Sequence, residues 1–238
     1  MKIDQEKCVA CENCLPYCPA EAIKAGEDRV KVDEELCFEC GVCSRVEACP
    51  TDAFYEPDYV FEHPRSVRKA FSDPSVDHSE TNMPGRGTEE VKTNDVTNRV
   101  EKGYVGIGLE MGRPSVGTTV KEVEKATKAL AENGFSNFEE CNPVFALMKN
   151  PETGEMKEDV LEERLLSAII ELDIPEDELE KCFKVVKEIA DKIDTVFTMD
   201  LISCYDEDMK LRVEEMLDES SFEARPNAKI NIGVGKAE

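Results

Sequence analysis

The chain has no apolar run approaching the roughly 18 residues of a spanning helix, and charges break its longest apolar stretches every few positions. Membrane insertion is therefore excluded. Basic charge is scarce: 29 Lys and Arg stand against 53 Asp and Glu, for a net charge of −24. So negative a surface repels nucleic acid and anionic lipid. It suits docking to a basic patch on a redox enzyme, or simply keeps a protein soluble. The imbalance is spread over the chain, with 12 acids and 6 bases in residues 1–55, 10 and 7 in 56–103, and 31 and 16 in 104–238. Histidine is nearly missing. His63 and His78 are the only two, lack metal-like spacing, and are expected to face solvent. No nucleophile–base pair, nucleophile elbow or metal-hydrolase motif occurs, so no independent catalytic site is expected.

Cysteine, by contrast, is plentiful and localised. Eight of the 11 cysteines fall in two runs, Cys8-x2-Cys11-x2-Cys14-x3-Cys18-Pro19 and Cys37-x2-Cys40-x2-Cys43-x5-Cys49-Pro50. A C-x2-C-x2-C loop coils around one corner of a [4Fe-4S] cluster and supplies three ligands, while the remote Cys-Pro crosses to the other cluster. The expected ligand sets are Cys8, Cys11, Cys14 and Cys49 for one cluster, and Cys37, Cys40, Cys43 and Cys18 for the other. Disulfides would need an oxidising compartment, and the first motif follows Met1 too closely to leave room for a signal peptide. Structural zinc uses separated C-x2-4-C pairs, not a run of three.

Residues 1–55 thus resemble the bacterial-type two-[4Fe-4S] ferredoxins. An internal repeat supports the likeness: Cys18-Pro19-Ala20-Glu21-Ala22-Ile23 is echoed by Cys49-Pro50-Thr51-Asp52-Ala53-Phe54. One departure is the gap between Cys43 and Cys49, where Ser44, Arg45, Val46, Glu47 and Ala48 stand in place of the family's usual three residues. The resemblance implies electron transfer in a reducing cytoplasm, most readily that of an anaerobe. Val9, Ile23, Val30, Phe38, Val42 and Phe54 are expected to form an apolar shell around the clusters.

Residues 56–103 are rich in Pro, Asp, Glu, Ser, Thr and Asn and read as an extended polar linker with at most one short helix near 66–71. A linker that wrapped over a neighbour would imply an oligomer or a complex. Pro84-Gly85-Arg86-Gly87-Thr88 reads as a glycine-rich turn. It lacks the Gly-Lys-Ser/Thr ending of a P-loop.

Residues 104–238 read as an α/β partner-docking or regulatory domain. A strand is expected at 104–111, and Thr119-x-x-Glu122 forms a capping box that opens a helix ending at Gly134. Gly106 and Gly108 fall inside the strand, so the G-x-G-x-x-G order of a dinucleotide site is not met. A second strand is expected at 138–148, interrupted at Asn142-Pro143, with helices at 159–172, 176–193 and 207–217, and further strands at 195–204 and 228–234. The fold class is α+β, an N-terminal dicluster module followed by a C-terminal α/β sandwich. The second part is weakly similar to ACT-like regulatory domains, on Gly112, Arg113, Pro114 and Gly117. Cys141, Cys182 and Cys204 lack ligand spacing and are expected to be buried thiols.

The expected function is low-potential electron transfer through two [4Fe-4S] clusters to or from a partner oxidoreductase or complex. The alternatives are a redox- or ligand-sensing regulator, and an accessory factor supplying electrons to activate a metalloenzyme or corrinoid protein.

Overall fold

A computed structural model describes residues 1–82, 99–113, 116–208, 210–220 and 222. The turn expected at Pro84 to Thr88 and the strand expected at 228–234 lie outside the described residues.

The N-terminal module is built twice. Strand β1 (Lys2–Ile3) pairs antiparallel with β4 (Phe54–Tyr55), and β2 (Ile23–Lys24) with β3 (Lys31–Val32). Ile3 opposes Phe54 and Ile23 opposes Val32, so each ribbon turns an apolar pair inward. The repeat extends to the hydrogen bonds. Asp4 N–H donates to Ala53 O and Asp33 N–H to Ala22 O, both at 2.7 Å. Each aspartate then starts a turn, its Oδ1 accepting from Glu6 N–H at 2.9 Å or Glu35 N–H at 3.1 Å. The next cysteine N–H closes the turn: Cys8 onto Asp4 O at 3.0 Å, Cys37 onto Asp33 O at 3.1 Å.

Helix α1 (Val42–Arg45) takes up part of the long gap before Cys49. The expected linker holds a 3₁₀ turn at Asp58–Phe61 and helix α2 (Ser66–Ser72). Val67 and Phe71 of α2 join the core of the C-terminal part, so this segment packs where an extended connector was expected. His78 is buried, not solvent-facing, and meets Phe71 edge-on with ring centroids 5.6 Å apart. His63 is exposed, with Nε2 2.6 Å from the Asp159 carboxylate.

In the C-terminal part follow β5 (Tyr104–Met111), β6 (Thr118–Thr119), α3 (Val120–Glu132), α4 (Pro143–Leu147), β7 (Met148–Asn150), β8 (Glu155–Met156), β9 (Arg164–Leu165), β10 (Ala168–Pro175), α5 (Leu179–Lys192), β11 (Phe197–Ser203) and α6 (Arg212–Glu219). The main sheet is three-stranded and antiparallel, in the order β10-β5-β11. Strands β10 and β11 are parallel to each other, linked through α5 with β5 inserted between them, a split βαβ unit. Val105, Ile107, Leu109 and Met111 alternate onto the face whose core also holds the apolar sides of α3 and α5.

Several expectations fail here. The helix expected at 159–172 is β9 and most of β10, because Ile169 and Ile170 are both buried and the alternation that marks a strand is lost. The strand expected at 138–148 is instead interrupted by helix α4. Asn142 caps it, with Oδ1 accepting from Val144 N–H at 2.8 Å, and Pro143 takes the first helical position. The helix expected at 207–217 starts only at Arg212. Among the described residues the sheet lacks the fourth strand of an ACT-like βαββαβ order.

Candidate metal centres

Two voids open inside the N-terminal module. One is rimmed by Cys8, Cys11, Cys14 and Cys49 together with Ile3, Val30 and Phe54. The other is rimmed by Cys37, Cys40, Cys43 and Cys18 together with Ile23, Val32 and Phe38. Each rim takes three cysteines from one loop and one from the other half of the repeat, and the longer gap does not keep Cys49 from the first void.

The backbone around both voids is unusual in the same way twice. Ala10 and Glu39 have φ of 53° and 55°, Glu12 and Gly41 61° and 66°, and Glu21 and Asp52 both 49°. Left-handed conformations cost a non-glycine residue on the order of 1 kcal/mol each. They turn successive N–H groups inward, as in an anion-binding nest. Ala22 N–H donates to Cys18 Sγ at 3.2 Å, Ala53 N–H to Cys49 Sγ at 3.3 Å, and Glu39 N–H to Cys37 Sγ at 3.4 Å. Such bonds stabilise thiolate and tune a metal bound to it.

Burial opposes ionisation at most of these thiols. It pushes Cys37 up to about 11 and Cys43 up to about 12, and it raises Cys14 and Cys40. Thiolates there need a cation beside them. At Cys49 burial also pushes upward, but the Ala53 N–H and the Thr51 hydroxyl outweigh it and leave the thiol below its ordinary value. Among the described residues no three His, Cys, Asp or Glu side chains close together as a single metal ion would require. Four cysteines around each void, three of them from one loop, match the ligand pattern of an iron–sulfur cluster better than the separated pairs of tetrahedral zinc.

The surroundings of the two voids differ. Phe38 is 1% exposed, while Val9, its counterpart in the repeat, lines the first void as expected but is 58% exposed. Phe38 packs against Leu166, and Arg164 lies over its ring at 5.4 Å. Arg68 reaches from α2 to donate to Cys37 O at 3.0 Å and Glu35 O at 2.9 Å, while its Nε meets the Glu163 carboxylate at 2.5 Å. Arg45 donates to Cys40 O at 2.6 Å and to Asp73 at 2.7 Å. Glu39, fully buried, is held by Arg65 and by the amino group of Met1. None of these cationic contacts was legible in the spacing of the cysteines.

The other three cysteines stay apart from both voids. Cys182 lies in the C-terminal core, where burial pushes its thiol up to about 12. Cys204 donates to Val100 O at 3.3 Å. Cys141 is exposed, against the expectation of a buried thiol. No described helix is long and apolar enough to cross a membrane.

These sites define an iron–sulfur electron-transfer protein, and the comparisons with known proteins narrow the class. Residues 1–24 match the 4Fe-4S binding domain family. The ferredoxin 7Fe of Hydrogenibacillus schlegelii is 36% identical over 63 residues, which cover 26% of this chain and 78% of the relative. Pyruvate synthase subunit PorD of Methanocaldococcus jannaschii is 42% identical over 52 residues, 21% of this chain and 58% of that protein. NADH-quinone oxidoreductase subunit I 2 of Geobacter metallireducens is 37% identical over 84 residues, 26% of this chain and 63% of that one. No solved structure matches. The chain belongs to the ferredoxin family, and what these relatives share with it is about a quarter of its length.

Proposed function

We propose that the protein carries electrons through two [4Fe-4S] clusters, one held by Cys8, Cys11, Cys14 and Cys49 and the other by Cys37, Cys40, Cys43 and Cys18. The observation that carries this reading is the pair of four-cysteine voids, each completed by a cysteine from the opposite half of the repeat. Bound clusters supply reversible one-electron chemistry at low potential. The chain's own part is to hold thiolates with inward N–H groups, to keep water off with Ile3, Ile23, Val30 and Phe54, and to bring the two sites together. The named relative's seven iron atoms would leave one site short, whereas four cysteines at each void support eight.

Residues 104–238 act as the partner-selecting domain, and residues 56–103 fasten it to the module of residues 1–55. The names of relatives that are subunits of pyruvate synthase and NADH-quinone oxidoreductase support a partner oxidoreductase or complex, and the cytoplasm is the compartment such partners imply. A regulatory role, in which cluster state is reported to the C-terminal domain, draws support from the direct seating of Phe38 on Leu166.

Anaerobic iron and sulfide analysis with an EPR-monitored redox titration tests the carrier. About eight iron and eight sulfide per chain, reduced reversibly near the roughly −400 mV of low-potential ferredoxins, are expected. Four or fewer iron atoms, or clusters that do not cycle, would overturn it.

A further inference from the structure

We propose that redox partners dock at one face only, the exposed Cys8–Cys14 loop, and that this face fits a protein surface with a basic rim and a small apolar centre. The proposal rests on the two-cluster reading and adds a direction to it. Because the module is a repeat, each position of the first loop has a counterpart in the second. Val9, Ala10, Cys11 and Glu12 are all exposed, whereas Phe38, Glu39, Cys40 and Gly41 are all buried. The Cys37 loop lies beneath α2 and the C-terminal domain, with Gly117 so close that a Cβ on it would come within 2.2 Å of Phe38 Cζ. Electron transfer between proteins needs close approach, and of the two loops the first is the one that offers it.

Charge names the partner. Residues 8–23 contain no Lys, Arg or His, and Glu12 lines the first void itself. Glu47 and Asp52 flank Cys49 and are exposed, and Val9 is an exposed apolar group on the loop itself. A lysine-ringed surface is the complement of that pattern. The control acid lies on the covering side: Glu162, its side chain 85% exposed, precedes the Glu163 that holds Arg68.

The probe is cytochrome c, a basic haem protein. One electron passes from the reduced holoprotein to ferric haem, giving ferrous haem, and the haem absorbance reports the rate. At low salt, Glu12→Lys should slow the reaction three- to tenfold and Glu12→Gln about twofold, both effects vanishing in high salt, while Glu162→Lys stays within twofold of wild type. Equal slowing by Glu162→Lys, or a fully loaded protein that does not reduce cytochrome c, would overturn the proposal. Iron release to bathophenanthroline disulfonate gives a second readout. Half the iron should leave quickly and half slowly, with Gly117→Ala speeding the slow half; a single phase for all the iron would also overturn it. Iron content before either experiment reports separately on the two-cluster reading, so a low count would overturn that reading and this one together, whereas a full count with the wrong rates would overturn only the docking face.

Discussion

The Cys8 and Cys37 loops begin as the same object and end in different environments. They share cysteine spacing, left-handed residues and the Asp turn that precedes each. What differs is the side chains at non-cysteine positions. Where the first loop has Val9 and Glu12, the second has Phe38 and Gly41. A Cβ at Gly41 would lie 2.6 Å from Arg45 Nη1 and 3.0 Å from Asp73 Oδ2, so the ion pair that closes over this loop would have to shift to admit a larger residue. Glu12 has nearly the same φ but carries its side chain in solvent. A duplicated cofactor module can thus be specialised without changing a ligand, by changing what packs against one copy.

The contrast is tested most severely at Arg68. Its guanidinium serves Cys37 O and Glu35 O and pairs with Glu163, all under the cover of the second loop. Arg68→Met leaves a mostly buried carboxylate without its cation, a loss of about 3–5 kcal/mol. Anaerobic urea denaturation of the holoprotein should show it, and a loss below about 1 kcal/mol would mean that the cover is not fastened there. The first loop has no counterpart to this contact, so Glu12→Gln should leave the urea midpoint nearly unchanged.

Two glycines separate backbone strain from crowding at the cover. Gly103 and Gly117 have φ of 88° and 79°, yet a Cβ on Gly103 would meet nothing within 4 Å. Gly103→Ala should cost about 1 kcal/mol for the left-handed backbone alone. Gly117→Ala adds the collision with Phe38 and should cost about 2–4 kcal/mol. Equal losses would show that Phe38 yields freely. A smaller effect is expected from exchanging the counterparts themselves: Gly41→Glu should cost about 1–3 kcal/mol by overpacking, and Glu12→Gly should stay within about 1 kcal/mol of wild type.

How much of this was legible in the sequence follows the range of the forces involved. The repeat could be read because its turns, strand pairs and cysteine spacings are local, each spanning a few residues. Thr119 and Pro143 show the limits of reading ends. The capping threonine was visible, and its Oγ1 does accept from Glu122 N–H at 3.3 Å, but Asn142-Pro143 was read as a break in a strand when the pair in fact starts a helix. Gly117 carried a signal that two causes could explain. A ligand loop and the close approach of Phe38 both call for glycine, and only the tertiary structure separates them. The covering of the second loop could not be read at all, because α2 is about two turns of polar and apolar residues whose docking surface no periodicity specifies.

The smallest expected effect is a dependence on pH within the cover. His78 lies edge-on to Phe71, on the helix that carries Arg68, and its Nδ1 accepts from Glu80 N–H at 3.4 Å. Burial lowers its pKa; the Glu80 carboxylate raises it by less, and the Lys157 ammonium lowers it further. The imidazole is therefore neutral when folded and takes up a proton more readily when unfolded. Between the ordinary value of about 6.5 and the lower folded value, the unfolded chain binds more protons, so stability falls as pH drops. His78→Phe removes that linkage while keeping a ring against Phe71. Between pH 7 and pH 5 the wild-type urea midpoint should fall further than the variant's. Parallel slopes would place the acid sensitivity elsewhere, in the carboxylates that both halves of the molecule share.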